Sequence, residues 1–313
     1  MKGRILITGA NGFIGSNLLK FLKNKNFELY GWSHANKNKN IFYNENFFDI
    51  QNEKKVLNYY KNISPDFIIH LAGFSSPVNS WSDPQSCFQT NLVGTINLIK
   101  AIENHNYKPK KFFYIGTSGV YNNHDNGKLI KETSIQKPMD PYSISKYVSE
   151  LYINLIKHNL STDFFLIRPF SIVGEGKKND FCSDVARQIV SIERGTKSDL
   201  EIGELNNKRD FLDIRDAVTA LYLLILDNSC SHREFNLCSG KATKLNEIIK
   251  LFCNLAKKKI NIIINRKLIR KNDNKYRVGN NTRLTEIGWR QKYELHETIE
   301  SILNFWRNKH ENI

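Results

Sequence analysis

Apolar positions along the chain alternate between two rhythms. Short runs in which nearly every residue is apolar, Arg4-Ile-Leu-Ile-Thr8, Phe27-Glu-Leu-Tyr-Gly-Trp32, Pro65-Asp-Phe-Ile-Ile-His70, Lys111-Phe-Phe-Tyr-Ile115 and the stretch closing at Ile167, read as strands buried on both faces. Between them, Phe13 to Leu22, Asp83 to Asn104 and Tyr142 to about Asn159 carry the apolar stripe of amphipathic helices. Strand and helix in strict turn predict an α/β fold built on a doubly wound parallel sheet. In such a sheet ligands gather off the C-terminal strand ends, so the residues following each apolar run are the first place to look for chemistry.

The first run feeds directly into Gly9-Ala-Asn-Gly12-Phe-Ile-Gly15. Gly9 suits a tight turn, Gly12 lets a pyrophosphate approach the backbone, and Gly15 lets the helix pack on the sheet with its N-terminus toward the phosphates. With Asn11, Phe13 and Ile14 these residues predict a dinucleotide loop of Rossmann type. At the end of the second run, where an NAD-specific site offers an acid to the adenosine ribose, stand Ser33 and His34, with Lys37 and Lys39 beyond. That leans toward NADP(H), with NAD(H) as the other cofactor. Asp49, followed by Ile50, has a carboxylate suited to the adenine amino group; an ordinary loop aspartate is the alternative. Leu71, Ala72 and Gly73 are small enough at the third strand end for a cofactor to lie close. His70 reads as a structural hydrogen-bonder and Asn91 as an architectural one.

The fourth run ends in Gly116-Thr117-Ser118-Gly119, and a loop then delivers Tyr142-Ser-Ile-Ser-Lys146 at a helix start. Tyrosine and lysine one turn apart lie on one helix face, where the ammonium favours the phenolate and draws its pKa toward neutrality. Y-x-x-x-K by itself is common. A strand-end hydroxyl, Thr117, facing the same crevice supplies the context that makes it a proton donor to an oxyanion.

Composition narrows the class further. Of 313 residues, 46 are Lys or Arg and 31 Asp or Glu, a net charge of +15. The lysines are scattered, and Lys257-Lys258-Lys259 reads as a solvated helix end, so nucleic-acid binding is not expected. Five cysteines without a C-x-x-C pair give neither a disulfide framework nor a metal site. No run approaches the length of a membrane span and no cleavable leader precedes the first strand, so the expected location is the cytoplasm.

Together these motifs resemble the extended short-chain dehydrogenase/reductase family of nucleotide-sugar epimerases, dehydratases and reductases, over essentially the whole chain. Within it, His70-Leu-Ala-Gly-Phe-Ser-Ser76, Ser80-Trp81, Phe181 to Gly195, Arg209-Asp-Phe-Leu-Asp-Ile-Arg-Asp216, Asn236 to Lys241, Arg270, Asp273 and Gly288-Trp289 are similar to the GDP-4-keto-6-deoxy-D-mannose reductases. The resemblance implies a catalytic set of Thr117, Tyr142 and Lys146, and a cofactor held by Gly9, Gly12, Gly15, Asp49 and the same Tyr142 and Lys146. It places substrate contacts at Ser75 and Ser118, assigns Arg209 and Arg270 to a diphosphate and Asp273 to a ribose. Guanidinium forks suit phosphate on physical grounds as well. It further implies a homodimer paired through the helices near Asn91–Asn104 and Tyr142–Asn159. The expected division is residues 1–167 plus about 211–235 as NAD(P)-binding domain, with 168–210 plus 236–313 as a smaller C-terminal α/β domain for a sugar nucleotide. Ser171 departs from the family's usual asparagine, and Glu175 from its proline.

Within that family the exclusions matter. A 4,6-dehydratase needs an acid or base in the two positions after Thr117, and Ser118 and Gly119 serve neither purpose. An epimerase-reductase of the GDP-fucose type would want a cysteine at Gly119 and a histidine near Ser183. The expectation is therefore simple C4-ketone reduction, GDP-4-keto-6-deoxy-D-mannose to GDP-D-rhamnose, for surface-polysaccharide sugars. A 4-epimerase with tightly bound NAD is the rival enzyme, and a cofactor-sensing or RNA-binding relative the rival class.

Overall fold

A computed structural model describes residues 3–34, 43–121, 127–269 and 275–309. It divides into two compact units, one of Met1–Asn122, Glu132–Pro169 and Leu221–Asn236, the other of Asn123–Lys131, Phe170–Ala220 and Leu237–Ile313.

The first unit is a Rossmann-type sheet. Strands β1 (Arg4–Thr8), β2 (Glu28–Ser33), β3 (Asn44–Phe47), β4 (Phe67–His70), β5 (Lys111–Ile115) and β6 (Asp163–Pro169) pair in parallel, and with Glu234–Leu237 they stand in the order Glu234–Leu237, β6, β5, β4, β1, β2, β3. The chain winds outward from β1 to one edge and then restarts at β4 on the other side. Strand ends of β1 and β4 therefore flank the switch point. Helices α1 (Phe13–Leu22), α2 (Glu53–Ile63), α3 (Asn79–Ser82), α4 (Pro84–Phe88), α5 (Gly94–Glu103) and α6 (Pro141–Ile156) complete it. Leu6, Ile68, Phe112 and Leu166 point to one face and pack against Val56, Tyr60, Leu98, Ile102 and Ile153 of the helices. On α1, the ring of Phe21 meets Tyr222 edge-on, 5.4 Å between centroids.

The second unit has no such continuous sheet among its described residues. It holds a pair, Ser171–Val173 with Phe211–Asp213; a triple, Thr243–Lys244, Lys208–Arg209 and Tyr276–Arg277; and another pair, Asp199–Ile202 with Asn261–Ile264. Helices Phe181–Arg194, Leu245–Leu255 and Leu295–Asn308 bury Ile189, Ile248, Phe252, Ile302 and Trp306 among themselves. The returning segment expected from 211 joins the first unit only from Leu221. Phe211–Asp213 pairs instead with Ser171–Val173, which fixes it in the second unit. The helix expected over Asp83–Asn104 is two α-segments joined by a π-turn at Gln89–Val93. No helix among the described residues is long and apolar enough to cross a membrane.

Candidate active site

The glycine loop takes the shape its sequence requires. Gly9 has φ +69°, and a Cβ there would stand 2.8 Å from the Ala72 nitrogen. A Cβ at Gly15 would strike the Gly9 carbonyl, so α1 lies directly on the turn. The Gly12 N–H donates to Gly9 O at 2.9 Å, and the Asn11 N–H to Ser33 Oγ at 2.9 Å, which ties the loop to the end of β2. Helix α1 begins after Gly12 with neither a side-chain cap nor an acid in its first turn, where Phe13 and Ile14 lie. Its leading N–H groups and positive end suit a phosphate. The cradle fits a dinucleotide.

At the adenosine end, Ser33 is buried with its oxygen committed to Asn11, while His34 Nδ1 lies 3.6 Å from Asp49 Oδ2 in an exposed pair. Asp49 also accepts from the Gln51 N–H at 2.9 Å, and Ile50 is buried beside Gly94. Lys37 and Lys39 lie outside the described residues. An acid that the sequence reading missed comes from β3: the Tyr43 hydroxyl lies 2.9 Å from Glu45 Oε1 and 3.2 Å from Asn11 Oδ1. The signal was the short spacing between β2 and β3, since Gly31 and Glu45 are register partners.

Below the cofactor loop a neutral hydrogen-bond chain locks β1 to β4. Thr8 Oγ1 accepts from the Leu71 and Ala72 N–H groups at 3.1 and 2.9 Å and donates to His70 Nδ1 at 2.7 Å. His70 then carries its proton on Nε2 and donates it to Thr95 Oγ1 at 3.0 Å, because the Thr95 hydroxyl is itself given to Asn91 O. Burial, and secondarily the Lys146 charge, push His70 down to about 3. It is the structural residue expected. Asn91 accepts from the Phe74 N–H at 2.8 Å and donates to Ser145 Oγ at 2.8 Å, joining the 73–74 loop to α6.

The start of α6 is fixed by Asp140, whose carboxylate caps the Ser143 N–H at 2.8 Å, and by Pro141 in the first turn. The Tyr142 N–H donates to Ser80 Oγ at 3.2 Å. Asp-Pro before the tyrosine was a legible cap that the sequence reading passed over. Thr117, leaving β5, receives the Gly119 N–H on Oγ1 at 3.1 Å. Lys146 Nζ donates to Ile115 O at 2.9 Å and lies 5.0 Å from the Tyr114 ring centre. Gly73 closes the group, since a Cβ there would stand 3.2 Å from that ammonium.

The electrostatics reverse one expectation. The Tyr142 phenol is not drawn toward neutrality: burial raises it to about 12, and the Thr117 hydroxyl opposes this only in part. Burial also lowers Lys146, to about 8, with Glu150 and then Cys87 working upward against it. Desolvation outweighs the charge that spacing alone suggested.

Thr117, Tyr142, Lys146, the glycine loop and Leu71–Gly73 thus belong to the first unit. Ser118 is buried there and Ser75 exposed. Arg209 belongs to the triple of strands in the second unit, its Nη1 donating to Lys208 O at 3.0 Å. Arg270 and Asp273 lie outside the described residues.

Comparison with known proteins gives a match to the GDP-mannose 4,6 dehydratase family model over residues 6–302. The GDP-6-deoxy-D-mannose reductase of Pseudomonas aeruginosa is 28% identical over 315 residues, covering 99% of each chain. The GDP-6-deoxy-D-talose 4-dehydrogenase of Aggregatibacter actinomycetemcomitans is 28% identical over 285 residues, 91% of this chain and 90% of that one. Among solved structures, RMD from Pseudomonas aeruginosa complexed with NADPH superposes with a TM-score of 0.85 at 27% identity, over 97% of this chain and 99% of that one.

Proposed function

Because the chain belongs to the GDP-mannose 4,6 dehydratase family, among the NAD(P)-dependent enzymes of the extended short-chain dehydrogenase/reductase type, we propose that it reduces the C4 ketone of a nucleoside-diphosphate 4-keto-6-deoxyhexose with NADPH. The substrate we assign is GDP-4-keto-6-deoxy-D-mannose and the product GDP-D-rhamnose, made in the cytoplasm for a surface polysaccharide. One observation carries the reading: Ile115, the last residue of β5, holds Lys146 by its carbonyl, Thr117 follows two residues on, and Tyr142 stands one turn before Lys146 on α6. NADPH, when bound, supplies the hydride that the carbonyl carbon takes up. Tyr142 gives its proton to the oxygen. A phenol near 12 is fully protonated at neutral pH, and an alkoxide is the stronger base, so the phenol is loaded for reduction. Thr117 orients that phenol and hydrogen-bonds the same oxygen, and Lys146 holds the nicotinamide ribose. The glycine loop, Ser33, Asp49, Ile50 and Leu71–Gly73 hold the rest of the cofactor.

Room at Gly119 supports reduction without further steps. A Cβ there would run into Ser143 Oγ, so a carboxylate or a cysteine at 119 would first have to displace that hydroxyl from its bond to Asp140. We assign the first unit to NAD(P) and the second to the sugar nucleotide, with Arg209 and Arg270 on the diphosphate, Asp273 on the ribose, and Ser75 and Ser118 toward the sugar.

A second product follows from the relative named for 6-deoxy-D-talose, similar to the same degree. Talose and mannose differ only at C4, so attack on the opposite face of the same ketone separates the two readings. Incubation with NADPH and GDP-, dTDP-, CDP- and UDP-linked 4-keto-6-deoxy sugars, with NMR of the product, tests both. NADPH loss with the GDP sugar and retained C3 and C5 is the expected result; interconversion of 4-hydroxy sugars without net NADPH loss would sink it.

The subunits pair, in this reading, through α6. Ile144, Val148, Leu151 and Leu155 repeat at helical spacing on its outer side, and Leu155 is 75% exposed. Leu151→Arg with Leu155→Arg should convert a dimer to a monomer in light scattering.

A further inference from the structure

The face of α6 that carries Tyr142 and Lys146 continues one turn further to Glu150, a residue that neither phenol chemistry nor cofactor binding calls for. Glu150 and Arg168 of β6 are each 1% exposed. Arg168 donates to Glu150 Oε2 from Nη2 at 2.7 Å and from Nε at 3.0 Å. A buried ion pair is weak support for stability, since desolvating two charges offsets most of their attraction. Its location says more. Ile115 O receives Lys146 Nζ, and the next residue is Gly116, where a Cβ would stand 2.5 Å from Glu150 Oε1. The carboxylate fills the space that a side chain at 116 would take. Three consecutive residues leaving β5 therefore hold Lys146, seat Glu150 and present Thr117. From the far side Arg168 is fixed by the Tyr121 hydroxyl at 3.0 Å, Glu132 O at 3.2 Å and the Glu234 carboxylate at 3.3 Å, and Tyr121 donates on to Asn236 Oδ1 at 2.6 Å. Glu150 cannot turn away without releasing Arg168.

We propose that Glu150, locked by Arg168, is a positioning residue for Lys146, its carboxylate fixing the ammonium at the β5 exit as a charged donor. The other titratable groups facing Lys146 are His70 of β4, Tyr114 of β5, Cys87 of α4 and Tyr142 of its own helix. Burial keeps His70 neutral and raises Tyr114, Tyr142 and Cys87, so all four stay uncharged at neutral pH; burial raises Glu150 too, but the Arg168 guanidinium works against it and holds Glu150 as the anion of the set. Lys146, already lowered by burial, would fall further without it.

This inference rests on Lys146 as a cofactor ligand, so it is tested on NADPH binding with no sugar present, where a wrong substrate assignment has no influence. Affinity read by NADPH fluorescence should be lost as pH rises through the titration of Lys146. Glu150→Gln alone strands a buried guanidinium and costs stability, so the decisive variant is Glu150→Gln with Arg168→Met. It should move the loss about one pH unit lower, with affinity down about tenfold at pH 8.5 and within about twofold at pH 6.5. Glu150→Asp, which keeps the charge, should return the profile toward that of the parent. A folded double variant with an unmoved profile would overturn the proposal. If the double variant does not fold, Gly116→Ala, which displaces the carboxylate and keeps both charges, decides in the same way: an unmoved profile overturns it.

Discussion

The two compact units are held together by different means. In the first, backbone ladders of five consecutive parallel pairings bring the ends of β1, β4 and β5 side by side, and the residues of interest sit where those ladders stop. In the second, three small sheets are stitched by side chains, above all by buried Asp210. Its carboxylate receives the N–H and hydroxyl of Ser239, each at 2.7 Å, the Gly240 N–H at 2.9 Å and the Gly279 N–H at 3.2 Å. Ladders distribute their bonds over many residues, so a site built on their ends tolerates the loss of one side chain. A carboxylate hub does not, because its removal leaves several buried donors unsatisfied at once.

The sharpest separation of the two units is chemical. Tyr142→Phe should lower kcat by roughly 10² to 10⁴, the usual effect of losing a general acid, with NADPH affinity and melting temperature unchanged. Unchanged turnover would place the proton donor elsewhere and remove the first unit's claim to the chemistry.

How far the sequence could be read follows the same division. The ladders of the first unit were legible because each strand is a local apolar run and each glycine of Gly9–Gly15 answers a local backbone demand. The hub was not, since Asp210 meets partners 29 to 69 residues away and no spacing announces them. Tyr142 shows a second limit. Its distance from Lys146 along the helix was visible, but its desolvation is made by the tertiary fold and reversed the expected shift. The boundary at 211 was misplaced for a similar reason, as Phe211–Asp213 reads equally well as a strand for either sheet.

Acid should find the first unit's weak point. His70 is lowered to about 3, below the ordinary value near 6.5, so the unfolded chain takes up its proton first as pH falls. Its contribution to stability is therefore complete above pH 6.5 and is lost progressively down to pH 3, by roughly 5 kcal/mol in all. Denaturant titrations at several pH values, with His70→Gln alongside, check this: the gap between the two proteins should narrow as pH falls. A gap independent of pH would mean that His70 is not held neutral.

Asp210→Ala is the matching cut in the second unit. With the donors of Ser239, Gly240 and Gly279 left without their acceptor, it should cost about 3 kcal/mol or more in denaturant unfolding. Affinity for NADPH should hold, while KM for the sugar nucleotide rises. Loss of NADPH binding in a folded variant would erase the contrast between the two units.

The smallest expected effect tests whether the first unit's cofactor end is set by ladders alone. Gly31 has no Cβ, and the Tyr43 ring occupies the space one would take, which lets the Tyr43 hydroxyl span from Glu45 to Asn11 of the glycine loop. The other carboxylate oxygen, Glu45 Oε2, is buried and has no hydrogen-bond partner among the described residues. A carboxylate so near this loop repels a 2′-phosphate by its charge, against the lean that Ser33 and His34 give toward NADPH. Glu45→Gln removes the charge and keeps the reach. The ratio of NADPH to NADH affinity, measured by fluorescence titration, should then rise by about three- to tenfold, the size of a partly screened charge contact. A ratio that does not move would leave cofactor choice to the end of β2, with β3 serving only to brace it.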